Sequence, residues 1–156
     1  MPRKPRGFTL IELVIAVAIV AILGAVVFPS FLDAVRKSRR SDAFTSLAAV
    51  QQAQERWRAN NPAYTDQLTA PAPPASSPGG LGLQSTTTSG YYTVAIDTPT
   101  ATGYNVVATA VSTKSQANDG NCVRLRVAVA TGNITYGSAA TSGAFDNSAT
   151  NRCWSR

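Results

Sequence analysis

A single carboxylate stands where the chain is otherwise hydrocarbon. Nineteen residues run from Leu10 to Phe28, and seventeen of them are apolar; the exceptions are Gly24 and Glu12. A charge inside a membrane-length apolar helix costs about 3 kcal/mol on insertion scales, so such a residue is a functional candidate by default. The chemistry open to Glu12 is ion pairing in a dry place, because a buried charge is tolerated only when it is paired. The bland alternative is that Glu12, near the start of the run, snorkels to an interface. Ahead of it lie three cations, Arg3, Lys4 and Arg6, and then the dipeptide Gly7-Phe8.

The other reactive side chains are few. The 156 residues include no His, two Cys and eight acids, and the acids are scattered. Ser and Thr are abundant but have no base beside them, and no Gly-rich phosphate loop or metal-ligand cluster is visible. Asp97, Asp119 and Asp146 are too sparse to build a calcium loop. The expectation is therefore a protein that is not an enzyme and carries no cofactor and no metal. Cys122 and Cys153 bound a loop of about 32 residues. Two Cys in an exported domain point to an oxidising compartment, and a bridge between them is worth roughly 3–4 kcal/mol; two free thiols are the alternative. Arg36, Lys37, Arg39 and Arg40 follow the apolar run directly. They suit DNA or an anionic surface. No aromatic platform accompanies them in sequence, which favours lipid headgroups and subunit ion pairs and leaves DNA weakly supported.

These residues need elements to position them. Residues 8–59 read as one long helix of roughly 78 Å. Residues 8–30 are apolar all round, a membrane or assembly helix. Residues 31–59 are amphipathic, with Phe44, Leu47, Val50, Ala53 and Trp57 spaced three or four apart as one stripe. Asn60-Asn61-Pro62 stop the helix, after Arg56 and Arg58 in its last turn. Gly24 and Pro29 are the expected helix break, either a simple kink or a stretch that unwinds when the helix leaves lipid and packs in a filament: Pro29 supplies no N–H and its ring crowds the carbonyl of Ala25. Residues 60–90, rich in Pro, Gly, Ser and Thr, read as a connecting loop. Residues 91–130 alternate with period two. Tyr92, Val94 and Ile96 form one row, Tyr104, Val106, Ala108 and Ala110 a second, and Val123, Leu125, Val127 and Val129 a third. That pattern predicts a half-buried antiparallel sheet turning at Thr98-Pro99 and Asn118–Asn121. Residues 131–156 read as an irregular Cys-bounded tail. The class is α+β, a helix spine laid against a small sheet.

The segment Gly7-Phe8-Thr9-Leu10-Ile11-Glu12-Leu13 resembles the class III signal of type IV pilins and their pseudopilin relatives. A Sec-type signal fits less well, since Val26-Val27-Phe28-Pro29-Ser30-Phe31 makes a poor cleavage site. Pro29 and the Cys pair also match the family layout. The resemblance is strong to about Trp57 and looser beyond. The ending Cys153-Trp154 is similar to minor type IV pilins of the PilE type. The resemblance implies the pilin fold and removal of leader 1–7 by a prepilin peptidase. It also implies N-methylation of the new N-terminal Phe8 and an assembly role for Glu12. Leader removal lowers the formal charge from +6 to +3. The α-ammonium of Phe8 would then pair with Glu12 of a neighbouring subunit or of its own chain. The implied partners are other pilin subunits, the peptidase, the inner-membrane assembly machinery and, before assembly, lipid. The implied location is the inner membrane, with the N-terminus cytoplasmic and the head periplasmic, and then the extracellular pilus, in support of biogenesis, adhesion or twitching motility. A type II secretion pseudopilin and a membrane-anchored binding module are the alternatives.

Overall fold

The computed structural model describes residues 7–71 and 79–154, with Pro29 described by its backbone. The leader cations Arg3, Lys4 and Arg6, and Pro73, Pro74 and Pro78 of the connector, lie outside the described residues. The elements in chain order are α1 (Leu10–Arg58), β1 (Tyr92–Asp97), β2 (Gly103–Ala110), β3 (Arg124–Ala130) and β4 (Asn133–Ala139). Two 3-10 turns, Ser115–Asn118 and Gly120–Cys122, lie between β2 and β3. The chain divides into two compact units, 1–35 and 36–156.

In the first unit, Thr9 caps the helix. Its hydroxyl accepts the Glu12 N–H at 3.3 Å, taking up one of the donors that a helix start leaves unpaired. The large apolar side chains from Phe8 to Leu32 are 40–82% exposed. α1 is continuous through Gly24 and Pro29. Beside Pro29, the Ser30 hydroxyl donates to the Val27 carbonyl at 2.8 Å.

In the second unit, the four strands pair antiparallel in the order β1-β2-β3-β4. The register sets Val94 opposite Ala108, Ala108 opposite Leu125, and Val106 opposite Val127. Their shared face is buried with Ala43, Leu47, Val50 and Ala53 of α1. The buried stripe thus begins at Ala43 rather than Phe44, which is half-buried and stacks on Trp154 at 4.6 Å. Arg58 closes the helix end by donating to the Asn61 carbonyl at 2.7 Å and the Ala101 carbonyl at 3.2 Å. The arms of the 60–90 connector are tied together, with Leu81 N–H on the Gln67 carbonyl and Leu83 N–H on the Leu68 carbonyl, both at 2.9 Å.

The sheet does not end at residue 130. β4 joins β3 through a two-residue turn, Thr131-Gly132, with both residues at positive φ. That conformation matches the twist of a tight hairpin. The tail then returns alongside β4, where Ser138 and Asp146 exchange N–H···O bonds of 3.0 and 2.8 Å. Gly137 leaves room here for Asn147, whose side-chain oxygen lies where a Cβ would be and would have to shift if one were added.

Two phenols lie in this core. Burial pushes the Tyr92 hydroxyl up to about 12, although a hydrogen bond from Gln116 opposes the shift. Burial also raises Tyr104, whose hydroxyl has no hydrogen-bond partner among the described residues. The folded state therefore favours the neutral phenols. Their contribution is complete below pH 10, the ordinary value, and is lost as pH rises toward about 12. Denaturant melts across that window should show stability falling by on the order of 2 kcal/mol, with tyrosinate absorbance appearing as the head unfolds.

Candidate functional site

The candidate residues fall in the two units and are taken separately. In the first, Gly7 and Phe8 lie just before α1, and Phe8 is 80% exposed. Glu12 lies in the first turn of α1 and is exposed. Sequence reasoning passed over Thr9. The spacing Thr9-x-x-Glu12 is that of a capping box, and this signal finds it. Its hydroxyl orders the turn that carries Glu12. The helix is long and apolar enough to cross a membrane, and an apolar surface on every side requires lipid or partner helices.

In the second unit the basic cluster is divided by its contacts. Arg40 reaches Asp119 as a two-pronged pair, with Nε and Nη2 each donating at 2.7 Å. The two side chains are 16% and 4% exposed. Gln116 Nε2 donates to the same carboxylate at 2.6 Å and to the Tyr92 hydroxyl at 2.9 Å. Asp119 separates the two 3-10 turns, and its carbonyl accepts the Cys122 N–H at 2.9 Å. A buried pair of this kind enforces position, because moving either partner strands a charge. Arg39 differs. Its guanidinium lies 4.0 Å from the ring centre of Tyr91, and the Lys114 ammonium lies 5.0 Å from the same ring. The sequence places no aromatic beside the cluster, but the fold brings Tyr91 to it across the chain.

Cys122 and Cys153 form a disulfide across a sequence separation of 31 residues, with Cα atoms 5.5 Å apart. Both are buried. Trp154 follows, stacked on Phe44 and donating its indole N–H to the Gly137 carbonyl at 2.9 Å. A cleft of about 460 Å³ opens beside it, lined by Phe44, Leu47, Val127, Tyr136 and Trp154, with Lys37 among its polar residues. On β3, Arg124 and Arg126 lie over Phe145 at 4.5 and 4.2 Å. Burial, followed by the charge of Arg124, lowers the Arg126 pKa. Among the described residues no three His, Cys, Asp or Glu gather to hold a metal. Asp119 is committed to Arg40, and Asp146 accepts the Ser148 N–H at 2.9 Å.

An N-terminal apolar helix that continues into a head of four antiparallel strands, closed by a C-terminal disulfide, defines a pilin-like subunit. A family model described as "Type IV minor pilin ComP, DNA uptake sequence receptor" matches residues 29–126, and the "Prokaryotic N-terminal methylation motif" matches residues 2–28. The chain belongs to the type IV pilin family. It is 33% identical over 129 residues to the fimbrial protein EcpC of Eikenella corrodens, covering 74% of this chain and 78% of that one. It is 45% identical over 65 residues to the type IV major pilin protein PilA of Myxococcus xanthus, covering 42% of this chain and 29% of that one. The type II secretion system core protein G of Vibrio cholerae is 36% identical over 67 residues, covering 42% of this chain and 46% of that one. The chain thus spans less than half the length of the last two.

Replacing both cysteines, Cys122→Ser with Cys153→Ser, should destabilise the head by roughly 3 kcal/mol, read as a lower Tm. Thiol labelling of the unreduced, denatured wild type should find no reactive thiol.

Proposed function

We propose that this chain is a structural subunit of a type IV pilus, minor in abundance, held in the inner membrane before assembly and packed through α1 in the filament. The observation that carries this reading is an apolar helix exposed on all sides, with Glu12 in its first turn and Gly7-Phe8 just before it. Lipid and neighbouring helices are both apolar, so moving from one to the other needs little net hydrophobic driving force. Packing and charge then decide position. A prepilin peptidase cuts after Gly7 and Phe8 is methylated. The new ammonium then meets Glu12 of a neighbour, and an unpaired carboxylate penalises every other register. The head lies outside the cytoplasm, where the Cys122–Cys153 bridge forms, and becomes extracellular with the filament. The work is structural rather than catalytic. Gly24 and Pro29 mark where α1 unwinds when it leaves lipid.

A second reading takes its support from the likeness to a secretion core protein: a pseudopilin of a type II secretion system. Deleting the gene separates the two. Fewer surface pili support the pilus subunit, whereas a block to release of a soluble exoprotein with normal pili supports the pseudopilin. A membrane-anchored binding module would be absent from sheared filaments. The description of the matched family as a DNA uptake sequence receptor makes DNA a further candidate partner, one that the basic cluster alone supports only weakly.

Processing has a direct readout. The intact mass of protein from cells with an active prepilin peptidase should correspond to a chain that starts at methylated Phe8; a mass that retains Met1 or Pro2 contradicts it. Glu12→Val should insert into membranes as well as the wild type or better, since a costly carboxylate is gone. Its incorporation into sheared pili should fall sharply. Wild-type levels in the sheared fraction would remove Glu12 from assembly.

A further inference from the structure

Five cations belong to the start of the head or to the β2–β3 connection: Arg36, Lys37, Arg39, Arg40 and Lys114. Their partners differ in kind. Arg40 is neutralised by Asp119 in a buried two-pronged pair. Arg39 and Lys114 instead share the ring of Tyr91, at 4.0 and 5.0 Å, and Arg39 Nη1 also donates to the Ser115 hydroxyl at 2.7 Å. A carboxylate partner cancels a cation, whereas an aromatic ring or a hydroxyl fixes its place and leaves its charge intact. Among the described residues, Lys37, Arg39 and Lys114 have no carboxylate partner. Asp33 and Asp42 are the nearby acids on α1, and Asp42 accepts both the backbone N–H and the hydroxyl of Ser89. The fold thus gathers unneutralised charge from α1 and from a turn more than seventy residues away, and holds it on one amphipathic ring.

We propose that Arg39, Tyr91 and Lys114, with Lys37, form a docking surface for an anionic phospholipid bilayer, laying the head on the membrane while the subunit waits for assembly. The proposal rests on the reading of α1 as a membrane anchor. Phosphodiesters of lipid and of DNA would suit the same cations, and the chain itself favours lipid. Asp33, Ala34 and Val35 alone separate Leu32, an exposed apolar side chain that follows the apolar run, from Arg36. Insertion of the helix therefore delivers the cluster to headgroup depth at high effective concentration. A tyrosine ring between cations suits that depth, with its apolar body toward the acyl boundary and its hydroxyl toward water. Each cation near an anionic surface shifts the docked-to-free ratio roughly fivefold, and salt screens the effect.

The test uses the full chain reconstituted into vesicles of phosphatidylcholine, with or without phosphatidylglycerol. Flotation reports anchoring, and amide hydrogen exchange across residues 112–117 reports docking. Exchange should slow on the anionic vesicles and not on the neutral ones, and high salt should reverse the slowing. Arg39→Ser with Lys114→Ser should reduce the docked-to-free ratio roughly fivefold per cation while flotation persists. Lys114→Glu alone should do the same at an exposed position, and Lys114→Arg should retain docking. Equal exchange on both vesicles with intact flotation overturns the docking surface and leaves the anchor standing. Failure to float overturns the anchor and the docking surface with it. Protection of the same amides by duplex DNA on neutral vesicles, without protection by phosphatidylglycerol, overturns the lipid assignment in favour of a nucleic-acid surface.

Discussion

Everything in the head is referred to one buried seam, the line of Ala43, Leu47, Val50 and Ala53 against the inner face of the sheet. The two alanines matter as much as Leu47 and Val50. Small side chains at the ends of the seam let the helix approach the strands closely, and Val106, Ala108 and Leu125, fully buried, meet it there. Polar groups on either side of the seam then fix its register. Gln54, fully buried, clamps Thr65 through both its amide nitrogen and its oxygen. Arg40 engages Asp119, and Trp57 donates to the Ala63 carbonyl. Sliding the helix by one turn would break each of these bonds while leaving hydrophobic burial similar. The apolar seam supplies cohesion, and the polar contacts select one arrangement.

The same helix obeys two hydrophobic patterns. Up to Leu32 it is apolar on all sides and its side chains are exposed; from Ala43 it is apolar along one stripe and that stripe is buried. A helix apolar all round needs a nonaqueous surrounding, whereas a striped one needs a folded partner. Arg36, Lys37, Arg39 and Arg40 stand between the two patterns. They form the polar boundary expected where one surrounding gives way to the other. Under the proposed exchange of lipid for neighbouring helices, this division would let the first half change company without disturbing the second.

Most of the head was legible because its strands obey the simplest rule available. β1, β2 and β3 alternate, the helix carries a three-four stripe, and the two cysteines pair as their spacing allows. β4 was missed because Asn133 to Tyr136 are exposed and burial begins only at Gly137, so the segment lacks a period of two. The Thr131-Gly132 turn was its readable sign. Phe44 packs against the core as its place in the stripe implies, and Ala43, too small to stand out in the pattern, extends the buried seam beside it. Phe44 also stacks on Trp154, near the far end of the chain, a contact no local pattern announces. Tyr91 and Arg39 are brought together by tertiary structure alone, so no local pattern announces them.

The disulfide has a consequence for tension. Between Cys122 and Cys153 lie β3, β4 and the returning tail, and β4 is an edge strand with Ile134 and Tyr136 exposed. An edge strand pulled from its free end peels away one hydrogen bond at a time, a weak geometry. The bridge removes that geometry. A pull on the chain beyond Cys153 passes through sulfur to Cys122 and bypasses the 31-residue separation between them. It then enters the turn anchored by Asp119, and from there Arg40 of α1. The pull thus bypasses β3 and β4, and it is borne by a covalent link and a buried ion pair. A fibre built from such heads can be stretched without unzipping the sheet from its edge.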